Sequence, residues 1–557
     1  MKRSTLSVLK SLRRVQRSVG AQRRHFLSTT SSLTTDSAPW SVPSVRPLAA
    51  SSVTAWSARR SLSTAASFVN PPEEFPSLLI KADSVDAQGE FAEATAKFLE
   101  PDNESVQELT KALIETDTGI VAHYYMDVEL QGTLTEVAKT VPEKIGIADS
   151  LKMGDMAVDM AKAGATQIIC LGVDFMAESV KAILTKQGFG HIPVYRADAR
   201  KIGCSLAESA EQDVYRAWLQ KESEGANALH VIYINTSLET KAVSSSLVPT
   251  ITCTSSNVLQ TMLQASAQMQ KDGLKVLYGP DTYMGQNLQR LLEMVADKWD
   301  DEQIASQLHP AHNKATIKQL RDNLTVFPSG NCVVHHMFGG SVVETVEQNY
   351  DDCYVTAHLE VPGEMFEIAM VKSLTDQGVV GSTSNILDFI KRKVQETADT
   401  KTDAATTRLR FILGTEAGMV TSIVQSVQNI LRSTSGAQNI EAEIIFPVAS
   451  EAVTATDDES LKLVPGVSGG EGCSTAGGCA TCPYMKMNDL DAVMDVLEMI
   501  RNEGTQLQKH LPPDRLSGKR INGQDAIELG SEAILFMRGF MNEKQIPADL
   551  CLKILKH

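Results

Sequence analysis

The sequence predicts an α/β fold built from three similar domains, each a three-layer αβα unit around a parallel sheet. Short, apolar, β-rich runs recur along the chain, and each is followed by a longer helical pattern. The runs fall into three groups, at about residues 105–205, 225–335 and 345–440. Continuous apolar strands that alternate with helices are typical of parallel sheets covered on both faces.

Seven strand candidates define these groups. They are 119–125, 166–173, 228–235, 274–279, 352–358, 378–382 and 409–414. Amphipathic helices are predicted between them, for example at 150–164 and 256–271. A helical region is predicted from about residue 486 to the C-terminus.

The domain boundaries follow from these groups. They give a transit or disordered segment at 1–72, α/β domains at 73–205, 206–340 and 341–445, and a Cys-containing loop with C-terminal helices at 446–557. The stretch at 295–325 is predicted to be a surface helical excursion.

Charge separates the N-terminal segment from the rest of the chain. Residues 1–72 hold eleven basic residues and one acid, Asp36, so the remainder carries a net charge of −26. Such an acidic body argues against nucleic-acid binding, which requires a basic surface. The sequence has no run of eighteen or more apolar residues, so no membrane span is predicted. An Arg- and Ser-rich segment is typical of a transit peptide, here predicted to be mitochondrial, with the plastid as the alternative; a disordered basic tail is the other interpretation.

Polar residues stand where three of the predicted strands end. HYY ends the first strand at 123–125, YINTS follows the strand at 228–235, and HLE ends the strand at 352–358. Ligands of parallel α/β folds bind beyond the carboxyl ends of the strands, so these residues predict a polar site there. Helix capping would explain about half of such residues without any ligand.

Eleven motifs carry a resemblance to a known family. They are AHYYMD (122–127), IADSL (147–151), GCSLA (203–207), YINTSLETKA (233–242), CTSSN (253–257), GPDTYMG (279–285), GNCVVHHMF (330–338), AHLEVPGE (357–364), GSTSN (381–385), GTEAGMV (414–420) and CATCPYMKMN (479–488). In this order they resemble quinolinate synthases of the eukaryotic, plant-like branch. The resemblance implies three domains with parallel sheets around a central active site. Plant-type members also carry a sulfur-transfer activator domain, which residues 1–105 are too short and too polar to form.

The resemblance also implies a metal site. Cys204, Cys332 and Cys482 would bind one [4Fe–4S] cluster and leave one iron open as a Lewis acid. Spacing alone does not predict this, because the chain has no compact CxxCxxC run. The CxxC pair of Cys479 and Cys482 also fits zinc binding or thiol–disulfide exchange, although a second CxxC, which zinc would favour, is absent.

The implied activity is that of a transferase that condenses iminoaspartate with dihydroxyacetone phosphate to quinolinate, in NAD biosynthesis. The implied catalytic residues are Tyr125, His335, His358 and Glu360. The implied substrate-binding residues are His123, Ser150, Tyr233, Asn235, Ser255, Ser382 and Thr383. Ser255 is expected to open a helix, where backbone N–H groups favour an anion. An aspartate oxidase or dehydrogenase is the implied supplier of iminoaspartate.

Three alternatives stay open at this point. The chain could be a cluster-dependent dehydratase of another small hydroxy acid, or a non-catalytic iron–sulfur or zinc-binding regulatory protein. Lys241 could face an anion or be a solvated helix residue. Five other histidines are interpreted as structural; they are His191, His230, His309, His312 and His510.

Overall fold

The computed structural model describes residues 74–270, 273–401, 405–448, 481–502 and 504–557. The predicted transit segment, Cys473 and Cys479 lie outside the described residues. The strands are β1 (Ser77–Ile80), β2 (Val85–Gln88), β3 (Thr118–His123), β4 (Ile145–Ala148), β5 (Gln167–Leu171), β6 (Val194–Arg196), β7 (Ala228–Tyr233), β8 (Thr250–Cys253), β9 (Lys275–Gly279), β10 (Leu324–Val326), β11 (Tyr354–His358), β12 (Gly378–Gly381), β13 (Thr407–Gly414), β14 (Ile440–Ile445), β15 (Arg520–Ile521) and β16 (Gln524–Asp525).

Helices follow most of the strands. They are α1 (Glu90–Lys97), α2 (Asn103–Glu115), α3 (Val128–Thr140), α4 (Ser150–Lys162), α5 (Asp174–Leu184), α6 (Ser205–Ala210), α7 (Asp213–Ser223), α8 (Leu238–Leu247), α9 (Val258–Met269), α10 (Thr282–Lys298), α11 (Asp301–Gln303), α12 (Lys314–Asp322), α13 (Ser341–Asn349), α14 (Gly363–Ser373), α15 (Thr383–Thr400), α16 (Val420–Ser433), α17 (Leu490–Arg501), α18 (Ala526–Glu543) and α19 (Ala548–Ile554). All seven predicted strands are confirmed. The C-terminal region is mainly helical as predicted, but it also contains the β15–β16 hairpin.

The three larger sheets repeat one strand order. The orders are β4-β3-β5-β6, β8-β7-β9-β10 and β12-β11-β13-β14, so the first strand of each unit lies between the second and the third. Neighbouring strands within each unit are parallel. The prediction of three similar parallel α/β units is therefore confirmed.

The N-terminal strands belong to the third sheet. β1 pairs antiparallel with β14, with Ser77 opposite Ile445, and β2 pairs antiparallel with β1. Residues 77–88, which the sequence analysis placed with the first domain, thus extend the third sheet to six strands and make it mixed. Each of these strands is only four residues long, and the partner of β1 lies more than 350 residues further along the chain, so no local pattern reveals the pairing.

Burial explains the apolar character of the central strands. All six residues of β7 are buried, as expected for a parallel strand covered by helices on both faces. One hydrophobic core runs through the first two sheets and reaches one face of the third, and a second core lies on the other side of the third sheet. The cores fix the three sheets relative to one another and therefore fix the ends of their strands.

Two peripheral regions complete the fold. The stretch at 295–325 is helical as predicted, but Trp299, Ile304 and Ile317 are buried, so it is not a surface excursion alone. The C-terminal helix α18 packs on α8, where a Cβ at Gly530 would lie 2.5 Å from the Leu238 carbonyl oxygen. Only glycine permits this approach. None of the described helices is long and apolar enough to cross a membrane.

Candidate active site

The carboxyl ends of the three sheets converge on one cavity, with an empty volume of about 830 Å³ including its open mouth. Twelve of the fourteen predicted site residues line it, and they come from all three sheets. They are His123, Tyr125, Ser150, Cys204, Tyr233, Asn235, Ser255, Cys332, Glu360, Ser382, Thr383 and Cys482. The other two, His335 and His358, are fully buried behind the wall and contact Glu360.

The site residues occupy repeated positions in the three sheets. The first strands β3, β7 and β11 end at His123, Tyr233 and His358. The second strands are followed by Ser150, Ser255 and Thr383. The fourth strands are followed by the three cysteines, because β6 precedes Cys204, β10 precedes Cys332 and β14 precedes Cys482. One strand order repeated three times therefore carries equivalent positions to a common centre.

A buried group of acids, imidazoles and a phenol forms one wall; we call Tyr233, His335, His358, Glu360 and Glu416 the Glu360 cluster. The Tyr233 hydroxyl donates to Glu360 Oε1 at 2.5 Å. Glu360 Oε2 lies 3.5 Å from His335 Nδ1, and Glu360 Oε1 lies 3.6 Å from His358 Nδ1. The two imidazoles stack with ring centroids 4.8 Å apart. Burial raises the pKa of Glu360 above its usual range, while the hydrogen bond from Tyr233 opposes that shift.

Two histidines have the same tautomer for the same reason. His123 Nδ1 accepts the backbone N–H of Tyr125 at 3.2 Å, and His358 Nδ1 accepts that of Glu360 at 3.3 Å. Burial lowers the pKa of His123 to about 4 and that of His358 to about 3, so both rings are neutral near pH 7. A neutral ring that accepts at Nδ1 carries its proton on Nε2. Each ring therefore offers an Nε2–H donor.

Hydrogen bonding in the Glu360 cluster is incomplete. Within the described part of the chain, neither His358 Nε2 nor Glu416 Oε2 has a hydrogen-bond partner, although both atoms are buried. Glu416 lines the cavity and lies two residues after β13. Tyr125, Asn235 and Glu360 have the same placement after the first strands of the three sheets. Burial raises the pKa of Glu416, and the charge of Glu360 raises it further. Unpaired buried polar atoms are costly, so these two point to a ligand.

Sequence reasoning quoted the GTEAGMV motif but missed Glu416 itself. It also missed Asp149, Thr254, Ser256 and Tyr484, which line the cavity as well. Glu416, Asp149 and Thr254 each lie within two residues of the end of a parallel strand, so the strand-end rule could have found them.

Tyr125 links two sheets. Its hydroxyl hydrogen-bonds Thr383 Oγ1 at 2.6 Å and lies 3.4 Å from Thr415 Oγ1. Thr415 Oγ1 is in turn 3.5 Å from His335 Nε2. The predicted catalytic phenol thus connects a helix N-terminus of the third sheet to the Glu360 cluster.

Helix capping accounts for part of the predicted anion-binding set. Ser382 caps α15, where its Oγ donates to Asn385 Oδ1 at 2.8 Å and accepts from the Asn385 backbone N–H. Its hydroxyl is therefore used within the helix start, whereas Thr383 faces the cavity and binds Tyr125. Asp149 caps α4 and leaves the hydroxyl of Ser150 at the first helical position. The expectation that Ser255 opens a helix is wrong, because α9 begins at Val258.

The three predicted metal-binding thiols differ in placement from the other described cysteines. Cys204, Cys332 and Cys482 are half-buried and line the cavity, whereas Cys170, Cys253, Cys353 and Cys551 do not. Burial raises the pKa of each of the three thiols, so the thiolate form requires a nearby cation. Cys332 Sγ lies 3.3 Å from His335 Nδ1. This donor set, three soft thiols around one cavity, fits a metal cluster bound through three cysteines.

Anions in this cavity would meet dipoles rather than side-chain cations. Among the described residues that line it there is no lysine or arginine. The N-termini of α4 and α15 open into the cavity at Ser150 and Thr383, and their backbone N–H groups favour negative charge. The His123 Nε2–H and several hydroxyls complete a neutral set of donors.

Comparison with known proteins decides the family. The sequence model of the family described as "Quinolinate synthetase A protein" matches residues 104–512. This chain belongs to the quinolinate synthase family. Helices α18 and α19 follow the region that the family model matches.

Plant and bacterial quinolinate synthases are similar to the chain over most of its length. "Quinolinate synthase, chloroplastic" of Nicotiana tabacum is 49% identical over 493 residues, which cover 87% of this chain and 67% of that protein. The protein of the same name from Arabidopsis thaliana is 48% identical over 493 residues. "Quinolinate synthase" of Prochlorococcus marinus (strain MIT 9303) is 27% identical over 436 residues and is covered to 95%. The chain thus spans about two thirds of the plant proteins' length.

These comparisons correct the predicted destination. Four plant quinolinate synthases that match the chain are named chloroplastic. The prediction of a mitochondrial protein is therefore wrong, and the plastid, which the composition of residues 1–72 left open, is the destination to which the relatives point.

Proposed function

We propose that this enzyme condenses iminoaspartate with dihydroxyacetone phosphate and releases quinolinate, phosphate and water, as a transferase in NAD biosynthesis. The observation that carries the proposal is the convergence of three cysteines and the Glu360 cluster on one cavity, in a chain of the quinolinate synthase family. The reaction needs donors for two carboxylates and a phosphate, groups that exchange protons, and an electrophile that assists loss of hydroxyl.

Cys204, Cys332 and Cys482 are the residues that would hold a [4Fe–4S] cluster. When bound through three cysteines, such a cluster supplies a Lewis acid at its open iron. Support comes from the placement of the three thiols, each after the fourth strand of its sheet and each on the cavity wall. The CxxC alternative of zinc or redox exchange would instead require Cys479, which lies outside the described residues, as the partner of Cys482.

Neutral donors would bind the anionic groups of both substrates. His123 offers Nε2–H, Asn235 offers its amide, and the starts of α4 and α15 offer backbone N–H groups with the hydroxyls of Ser150 and Thr383. Neutral dipoles in a low-dielectric cavity hold charge without forming fixed ion pairs. Such binding suits an enzyme that must release phosphate and a dicarboxylate product.

The Glu360 cluster would move protons. Glu360 is in hydrogen-bond reach of the Tyr233 hydroxyl and borders the cavity, so it can take a proton from a substrate carbon or nitrogen. His335 Nδ1 lies within 3.5 Å of the carboxylate from behind, and His358 Nδ1 binds the backbone N–H of Glu360. Tyr125, bonded to Thr383, is placed to donate to a substrate hydroxyl or phosphate.

An assay of the full chain tests this function. The protein is loaded with iron and sulfide without oxygen and mixed with iminoaspartate and dihydroxyacetone phosphate. Quinolinate, absent when either substrate is omitted, is the expected product. A fully loaded protein that forms no quinolinate but dehydrates another small hydroxy acid would establish the dehydratase alternative. A loaded protein without turnover on either would favour the regulatory one.

Two further proposals follow from the substrates and the relatives. An aspartate oxidase or dehydrogenase would supply iminoaspartate, because this imine is the product of oxidising the amine of aspartate. Residues 1–72 would direct the protein to the plastid, as the names of the plant relatives suggest.

A further inference from the structure

Lys241 is a fully buried lysine whose three N–H donors are all used. It lies in the first turns of α8, and its side chain is not exposed at all. Nζ donates to the Ile234 carbonyl at 3.0 Å, to Thr236 Oγ1 at 2.9 Å and to the Thr236 carbonyl. Both sequence interpretations of Lys241 are therefore wrong: it is neither solvated nor in the cavity.

The acceptors of Lys241 flank one residue of the candidate site. Ile234 and Thr236 stand on either side of Asn235, in the loop between β7 and α8. The same loop is tied by Ile234 N–H to the Cys253 carbonyl at 2.8 Å and by Thr236 N–H to the Ile234 carbonyl at 2.7 Å. One ammonium group thus binds the backbone carbonyls on both sides of Asn235.

The hydroxyl of Thr236 extends this contact to the strand end. Thr236 Oγ1 accepts from Lys241 and donates to the Tyr233 carbonyl at 3.0 Å. Tyr233 and Asn235 line the cavity, whereas Thr236 and Lys241 do not. The hydrogen bonds of Lys241 therefore reach the site through the loop.

The first sheet supplies the charge that faces Lys241. Glu178, on α5, is 7% exposed, and its Oε2 accepts the Leu238 N–H at the start of α8 at 2.7 Å. Phe175, one turn earlier on α5, lines the cavity, and Lys241 Nζ lies 5.8 Å from the centroid of its ring. We call Lys241, Glu178 and Thr236 the Lys241 cluster.

A buried ammonium is an expensive way to fill space. Burial penalises the ammonium and its carboxylate neighbour, and a site made entirely of apolar groups would often be as stable. Replacing Lys241 alone would instead leave its three acceptors without their donor. What an apolar side chain cannot do is fix three oxygen atoms of one loop at once. The observed arrangement is thus better suited to setting loop geometry than to adding stability.

We propose that Lys241 is a positioning residue, which sets the conformation of residues 234–236 so that Asn235 presents its amide to the substrate carboxylate. The proposal rests on the proposed function of the cavity. It assigns to Lys241 an effect on one substrate, the dicarboxylate, because its hydrogen bonds go to Ile234 and Thr236, whereas Thr383 and Tyr125 bond each other.

A Lys241→Met variant of the full, cluster-loaded protein tests the proposal. We expect the KM for iminoaspartate, generated in place from oxaloacetate and ammonia, to rise by about 10-fold while the KM for dihydroxyacetone phosphate changes by less than about 3-fold. Lys393→Met is the matched control, because Lys393 is also buried but bonds Asp376 and Glu396 away from the cavity. It should leave both KM values unchanged.

A double variant separates positioning from general damage. If Lys241 acts through Asn235, Lys241→Met adds little to the defect of Asn235→Ala, and the two effects are not additive. Additive effects, or equal changes in both KM values, would overturn the proposal. Should Lys241→Met fail to fold, Thr236→Val removes a single acceptor and should raise the KM for iminoaspartate by about 3-fold.

Amide hydrogen exchange gives a readout that does not depend on turnover. The amides of residues 234–238 should exchange faster in Lys241→Met than in Lys393→Met. If the amides exchange faster in Lys241→Met while the wild-type protein makes no quinolinate, the proposed function is refuted but the positioning of the loop by Lys241 is supported. Unchanged exchange would overturn the positioning role, whatever the activity.

Discussion

The Glu360 cluster and the Lys241 cluster are both buried, polar and attached to the strand β7, yet they differ in hydrogen bonding. The ammonium of Lys241 has three acceptors for three donors. The Glu360 cluster, within the described residues, leaves His358 Nε2 and Glu416 Oε2 without partners. Buried polar groups in folded proteins are normally paired. The hydrogen bonding of the Lys241 ammonium is therefore complete, whereas that of the Glu360 cluster leaves two atoms that a ligand could pair.

The difference teaches which buried charges to assign to chemistry. Lys241 and Glu360 would be equally strong candidates by burial and by perturbed pKa alone. Only Glu360 borders the cavity and has incompletely paired neighbours. Between these two residues, the position at the cavity together with the unpaired neighbours, rather than the pKa shift, identifies Glu360 as the candidate for chemistry.

The largest effect is expected where the Glu360 cluster meets the cysteines. Cys482→Ser should lower both the bound iron and quinolinate formation, the latter by more than about 100-fold, because it would remove one of the three proposed cluster ligands. Cys551→Ser is the control, since Cys551 is half-buried on α19 and does not line the cavity. Measurements of the bound iron and of the rate of quinolinate formation in the two variants test this prediction. Full cluster content with full activity in Cys482→Ser would refute the assignment.

Glu360→Gln should lower kcat by about 100- to 10,000-fold, the usual contribution of a general acid or base. The amide can still accept from Tyr233 and has nearly the same shape, so folding should be preserved. Glu443→Gln is the matched control: Glu443 is a buried carboxylate paired with Arg410 at 3.1 Å, far from this chemistry. A Glu360→Gln enzyme within about twofold of wild type would remove Glu360 from the proton-transfer role.

Glu416→Gln and Lys241→Met should change stability in different ways. For the cluster-free Glu416→Gln protein, the free energy of unfolding should stay within about 0.5 kcal/mol of the wild-type value or rise. The substitution removes a buried carboxylate whose Oε2 has no hydrogen-bond partner. Activity should nevertheless fall by about 10-fold. For Lys241→Met the free energy of unfolding should decrease by about 3 kcal/mol, because three acceptors lose their donor. Equal losses of stability, measured by urea denaturation, would break the comparison between the two clusters.

The smallest effect concerns His230, a fully paired histidine on the same strand as Tyr233. Its Nε2 is 2.9 Å from the Tyr215 hydroxyl, and burial lowers its pKa to about 3. The unfolded chain takes up a proton at this residue below about pH 6.5 while the folded chain does not, so stability present above that pH is lost on acidification. Between pH 6.5 and 5 the loss is about 2 kcal/mol for one proton.

His230→Gln should remove that contribution, so its stability should decline less steeply with falling pH than that of the wild type. Urea denaturation at pH 7 and pH 5 measures the difference. Parallel pH dependences in the two proteins would show that His230 is not kept neutral by burial.

Much of the fold follows from local patterns, and the exceptions have a common cause. The strands β3, β7 and β11 are recognisable because both faces are buried, which gives continuous apolar runs. The strands β1 and β2 are short, and β2 alternates between half-buried and exposed residues. Their place in the third sheet depends on contacts across the whole chain, which no window of sequence contains.

The site divides in the same way. Strand-end motifs and family resemblance together found twelve of the cavity-lining residues and missed others such as Glu416. They also assigned roles to side chains without their partners. Ser382 is a helix cap, Lys241 is buried and bonded to the loop before α8, and Glu416 is a carboxylate on the wall with one oxygen, Oε2, unpaired. Each of these distinctions depends on which atom a side chain meets, and that information exists only in the folded chain.

The most direct test is to measure quinolinate formation from iminoaspartate and dihydroxyacetone phosphate by the full chain, loaded without oxygen to graded extents with iron and sulfide. Product formation should rise in proportion to the cluster bound and vanish after exposure to air. A fully loaded protein that makes no quinolinate, or a cluster-free protein that makes it equally fast, would contradict the proposed function.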